Sequence, residues 1–150
     1  MAYLMLTALL CGALVMVIEV MGSRLIGPFF GVSLYVWTSL IAVTMMALAG
    51  GYALGGVVAD RRGTADTLYL IILVTGLELF LVPVLTGPIL SLCYPLGLRL
   101  GAFASALLLL GPSLFLLGCV SPFLVKLATR ELDKIGRTVG GFYALSTIGS

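Results

Sequence analysis

The sequence predicts an all-α, polytopic transmembrane helix bundle, on three observations. Of its 150 residues, 61% are hydrophobic and only 9% are charged, whereas soluble domains run at about 45–50% apolar and about 25% charged. Mean hydropathy is +1.25. The apolar runs also recur at the length a bilayer demands, about 20 residues for a hydrocarbon core about 30 Å thick at 1.5 Å per residue. That ruler gives four full spans, at residues 3–21, 34–59, 66–86 and 100–128, and a partial fifth from Val139. All of them belong to one transmembrane domain over residues 1–150. As a helix, residues 139–150 would extend only about 18 Å. A longer chain or a neighbouring one is therefore expected to complete that crossing.

The first span has no Lys or Arg before Arg24 and carries Glu19 where a signal-peptide cleavage region would fall, so it reads as a retained helix. Glu19 lies toward the far end of that span. Arg24 is its local partner, although a spacing of five places the two about 140° apart on a regular helix. Pairing them requires the helix to loosen at Gly22. Gly27, Pro28 and Gly31 are expected to interrupt the first connection.

In the second span Ala47, Gly51, Gly55 and Ala59 recur every fourth residue and form a narrow stripe of small side chains. Such seams let helix backbones approach closely in lipid. The stripe suits an internal packing face, a sliding transporter interface or an oligomer contact. Gly63, Thr64 and Asp66 then end this helix and cap the next.

Glu78 stands in the third span within an otherwise apolar stretch, about 18 Å along the helix from Asp66 and so near the midplane. A carboxylate there costs about 2.5–3.5 kcal/mol on insertion scales and calls for a partner, a proton or a water path. Pro83 follows, and its missing N–H should bend or open the helix beside the acid. Gly87 and Pro88 open the third connection. In the fourth span Pro112 and Pro122 release the carbonyls of Leu108 and Gly118. Gly111, Ser113, Cys119 and Ser121 are small or weakly polar neighbours able to re-satisfy them.

Lys and Arg set the orientation. Arg61, Arg62, Lys126, Arg130, Lys134 and Arg137 fall on one side, and only Arg24 and Arg99 on the other. The positive-inside rule places the richer side, with the amino terminus, in the cytoplasm. Tyr35, Trp37 and Tyr94 fall at the opposite boundary, where amphipathic rings favour the headgroup level.

Several function classes are disfavoured. The three cysteines lie far apart and there is no histidine, so neither a metal site nor a disulfide framework is expected. No glycine-rich strand-to-helix turn with a downstream acid occurs outside the spans, so no cofactor and no enzymatic activity are expected. No basic, aromatic-interleaved stripe suits nucleic acid. The expected surroundings are the lipid bilayer, with other subunits or a second copy of the chain as protein partners.

The turn after the second span reads Gly55-Gly56-Val57-Val58-Ala59-Asp60-Arg61-Arg62-Gly63. At Gly56, Ala59, Asp60, Arg61 and Gly63 it resembles the loop signature of the major facilitator superfamily, and it departs where Thr64 and Ala65 stand in place of basic residues. Over the whole chain, Glu19, Ser23-Arg24, Pro28, Gly31, Ser33, Trp37, Gly51, Gly55-Gly56, Asp60-Arg61, Ser121-Pro122, Gly136, Tyr143-Ala144 and Ser146-Thr147 resemble the membrane domain of the fused major-facilitator/spermidine-synthase family. The resemblance implies half of a major-facilitator fold in a bacterial inner membrane. It also implies a transporter-like module handling polyamines or similar small cations, without the synthase domain. Glu78 would then be the central acid, with Glu19 and Arg24 as an outer gate. The other expectation is a non-catalytic accessory subunit of a larger respiratory or photosynthetic complex, for which the unfinished fifth span and the small-residue seam argue.

Overall fold

A computed structural model describes residues 2–129 and 135–149 of the chain. They form six α-helices and no strand among the described residues: α1 (Ala2–Phe30), α2 (Leu34–Arg62), α3 (Ala65–Cys93), α4 (Gly97–Leu109), α5 (Gly111–Thr129) and α6 (Ile135–Gly149). A single 3-10 turn, Tyr94–Leu96, joins α3 to α4. Four helical stretches are long and apolar enough to cross a membrane, so the all-α membrane-spanning class holds. Most large side chains of α3 are exposed, among them Leu73, Leu77, Phe80 and Val84. In lipid that is the expected outer surface, because helices there do not need to bury apolar groups from solvent.

The element bounds differ from the sequence expectation at Pro28, Pro83 and Pro88. α1 continues through Gly27 and Pro28 to Phe30. It stops at Gly31, which takes φ +78° and donates its N–H to the Gly27 carbonyl at 2.7 Å. That left-handed conformation is the usual glycine helix stop. α3 continues through Pro83 and Pro88 to Cys93, so the backbone expected to open beside Glu78 remains helical. The Thr86 hydroxyl donates to the Val82 carbonyl at 2.7 Å, and that of Ser91 to the Pro88 carbonyl at 2.8 Å. A membrane segment keeps its polar backbone groups internally satisfied, which favours continuing the helix over unwinding it in lipid. The turn falls instead at Gly97, with φ +79°. α6 begins four residues before the expected Val139, and Arg130 and Lys134 lie outside the described residues.

Pro112 does break its helix. The fourth expected span is divided at Leu110 into α4 and α5. The backbone bonds recorded at this junction run from Leu110 N–H to Ala106 (2.9 Å) and from Leu114 N–H to Leu110 (3.0 Å). The residues between them contribute none, so α5 starts with fresh N–H groups.

Two apolar clusters stack along the bundle. One gathers Ile26 and Phe30 of α1, Leu40 and Val43 of α2, Leu90 of α3 and Ala106 and Leu109 of α4. The other gathers Leu4, Ala59, Leu68, Phe123 and Ala128. The contacts at each end fix the up-and-down order. Lys126 Nζ lies 2.6 Å from Asp60 Oδ1, joining the end of α5 to the α2–α3 turn. At the opposite end Arg99 donates to the Tyr35 hydroxyl at 2.9 Å with its guanidinium carbon 4.7 Å from that ring's centre, and Phe30 meets Tyr94 at 6.2 Å. Arg61, Arg62 and Lys126 therefore share one end, and Arg99 lies at the other.

The largest interface joins α2 to α5. The stripe of Ala47, Gly51, Gly55 and Ala59 is buried there. A Cβ on Gly51 would lie 2.9 Å from Gly118 Cα, and one on Gly55 would lie 2.6 Å from Cys119 Cα. Backbone meets backbone along this line.

Candidate functional site: a midplane acid at a helix break

Glu78 sits 13 residues into α3 from Ala65 and 15 before Cys93, which places it at the middle of the span. Its side chain is half-buried and faces α5. Ser113, the third residue of α5, is its neighbour there through both the hydroxyl and the backbone N–H. Glu78 Oε2 and Ser113 Oγ are nonetheless both buried without a hydrogen bond of ordinary geometry. The two groups are therefore adjacent and within electrostatic reach, rather than fully bonded. The N–H of Ser113 is among those released by the break at Leu110, and a helix N-terminus carries partial positive charge that favours an anion. The same helix that needs a partner for its first turn thus faces the acid that needs one in lipid.

Thr75, one turn before Glu78, is buried, but its hydroxyl donates to the Ile71 carbonyl at 2.8 Å. Ser105 of α4 is wholly buried and its hydroxyl has no partner. No cationic side chain comes within ion-pair distance of Glu78 among the described residues. No group of three or more metal-ligating side chains occurs among them either.

Glu19 and Arg24 do not meet. Glu19 is half-buried and Arg24 exposed, and α1 runs through Gly22 without loosening. Gly22 lies directly under Leu110, and a Cβ there would also lie 3.1 Å from Leu40 Cδ2. Packing holds the regular helix, and the regular helix keeps the two charges apart.

The loop-signature residues lie at the opposite end from Arg99. Gly56 faces open space, Asp60 pairs with Lys126, Arg61 is exposed, and a Cβ on Gly63 would lie 3.1 Å from Lys126 Cγ. Lys126 entered the sequence reading only through sidedness. The signal that could have found the pair was an acid and a base at helix ends assigned to one side. The side chains are 34% and 75% exposed, a setting in which ion pairs contribute about 0.2–1 kcal/mol. We expect Asp60→Asn to lower the unfolding free energy by no more than that, with the difference shrinking in high salt. Denaturation of both proteins at two ionic strengths checks it. A loss of several kcal/mol would show that Asp60 holds more than Lys126.

A cavity of about 210 Å³ opens between α1, α2, α5 and α6, lined in part by Cys11, Tyr52, Leu117, Ser121, Ser146 and Thr147. No charged residue lines it among the described residues. Glu78 is not on its wall, but Leu117 is, one turn along α5 from Ser113. The cavity therefore reaches to about 6 Å along the helix from the acid's neighbour.

No protein-family model, curated protein or solved structure matches the chain.

Proposed function

We propose that the chain is a transporter-like integral membrane module that brings a small cationic solute to the midplane acid Glu78. Polyamines are the solute class that the resemblance suggests. The observation that carries the reading is the Glu78 carboxylate, held mid-membrane beside a helix break with one oxygen lacking a hydrogen bond. Intramembrane acids of this kind mark ion and substrate pathways, and transporter sites are commonly built at the midplane from interrupted helices. The neighbouring cavity supports the same reading. Under it, the end carrying Arg61, Arg62 and Lys126 faces the cytoplasm of a bacterial inner membrane, as the positive-inside rule requires.

The test is uptake of labelled putrescine and spermidine by vesicles containing the reconstituted protein, beside protein-free vesicles. Uptake above that background is expected, and its absence for both solutes removes the reading.

A second reading, that of an accessory subunit, has one observation in its favour. An apolar groove lies between α2 and the α4–α5 break, lined by Met46, Phe103, Leu107, Pro112 and Phe115. A neighbouring subunit's helix would fit such a surface. Under this reading the protein migrates in a mild-detergent native gel with a stoichiometric companion, and migration alone removes it.

A further inference from the structure

We infer that the cavity between α1, α2, α5 and α6 is a binding site for an uncharged molecule of about one aromatic ring that carries a hydroxyl group and enters from the lipid. This goes beyond the proposed function. Under that reading a cation passes this space on its way to Glu78, whereas a molecule that rests in it is selected by its wall.

Volume sets the size of the ligand. The cavity holds about 210 Å³, and an apolar cavity of about 150 Å³ accepts benzene. A ring with a short substituent therefore fills it. The wall sets the polarity. Val15, Leu48 and Leu117 supply apolar surface from three helices, and Ser121 and Ser146 bring hydroxyls from α5 and α6. Elsewhere in the spans such hydroxyls turn back onto their own helix, as those of Thr75 and Thr86 do to the carbonyls of Ile71 and Val82. The hydroxyls of Ser121 and Ser146 make no hydrogen bond among the described residues. They are left for a ligand, whose own hydroxyl can donate to either and accept from either.

The same wall disfavours charge. No acidic or basic side chain lines the cavity among the described residues. Glu19 stands one turn beyond Val15 on α1, and Lys126, next to the lining Val125, turns to Asp60. An ion resting in the cavity would give up its water without gaining a counter-charge. Tyr52 and Thr147 both line the cavity and are exposed, so they mark its mouth. Tyr52 is ten residues before Arg62 at the end of α2, about 15 Å along the axis, which is hydrocarbon depth. The mouth therefore opens at the level where an uncharged ring concentrates. α1 and α6 meet at Gly12, where a Cβ would lie 3.0 Å from Ser146 Oγ, so the wall is closed on that line.

The Cys11 thiol lies in the same wall and reports occupancy. In the full chain with Cys93 and Cys119 replaced by alanine, held in lipid nanodiscs near neutral pH, its alkylation by N-ethylmaleimide is followed by intact mass. Benzyl alcohol, toluene and benzylammonium serve as competitors, since they match in size and differ in hydroxyl and charge. Benzyl alcohol is expected to slow alkylation at a concentration in the lipid about tenfold below that needed for toluene, the factor one hydrogen bond can contribute. Benzylammonium is expected not to slow it. Ser121→Ala combined with Ser146→Ala should erase the difference between benzyl alcohol and toluene, with a circular-dichroism spectrum like the parent's. The comparison of competitors needs no substitution of those serines, so it stands even if that variant misfolds. Equal protection by all three, protection by none, a difference that survives the paired substitution in a folded chain, or a Cys11 that reacts only after denaturation overturns the inference. Transport does not enter the measurement, so polyamine uptake without protection removes this inference alone, and protection without uptake removes the transport reading alone.

Discussion

Gly55→Ala should destabilise the protein while Gly56→Ala, one residue away on the same helix, should leave it as stable or more so. Helix propensity alone favours alanine over glycine by about 0.8–1.0 kcal/mol in both cases. Packing then separates them. A methyl group at Gly55 would lie 2.6 Å from Cys119 Cα and 2.9 Å from its carbonyl oxygen, backbone atoms that cannot swing aside, whereas nothing lies within 4 Å of one at Gly56. Forcing α2 and α5 apart costs about 1–3 kcal/mol by analogy with overpacked cores, and the seam carries the largest interface in the bundle. Gly51→Ala should be at least as damaging, since its methyl group would strike Phe115, Gly118 and Cys119 together. Thermal or detergent-titration midpoints of the variants in one micelle system check this. Equal midpoints for Gly55→Ala and Gly56→Ala would mean the two helices do not meet along this line.

Glu78→Gln should reduce solute uptake by about 10- to 100-fold with little change in stability. Glutamine retains the shape and can still accept from Ser113, so the fold loses little. The function loses the charge. A hydrogen bond to a charged group is worth about 1.5–3 kcal/mol, which corresponds to that range of rates or affinities. Uptake by matched vesicles, with protein content and melting midpoint measured on the same preparations, separates the two effects. Unchanged uptake would remove Glu78 from the mechanism.

The fold class was legible because lipid imposes coarse rules. An apolar run of fixed length must be a helix, and a stripe such as Gly51 and Gly55 must face another backbone or be wasted. The element ends were less legible, because proline does not act alone. Pro28, Pro83, Pro88 and Pro122 lie inside helices, Pro95 lies in the turn between α3 and α4, and Pro112 alone divides an expected span. What distinguishes Pro112 is tertiary: Gly111 precedes it, and an acid from another helix faces the N–H that follows it. A sequence window holds the first fact but not the second. For the same reason the Glu78–Ser113 and Asp60–Lys126 neighbours, separated by 35 and 66 positions, could be suspected only after the order of the helices was known. Glu19 and Arg24 show the converse. Closeness in sequence suggested a pair, and helical geometry, held by the packing of Gly22, keeps them apart.

The central claim, that Glu78 meets the start of α5 inside the bundle, is tested most directly by cysteine cross-linking. In a chain whose Cys11, Cys93 and Cys119 are replaced by alanine, cysteines at positions 78 and 113 should be joined by a short bifunctional maleimide in native membranes, whereas cysteines at 78 and 121 should not. The contradicting result is a cysteine at 78 that reacts fully with a membrane-impermeant maleimide and joins neither position.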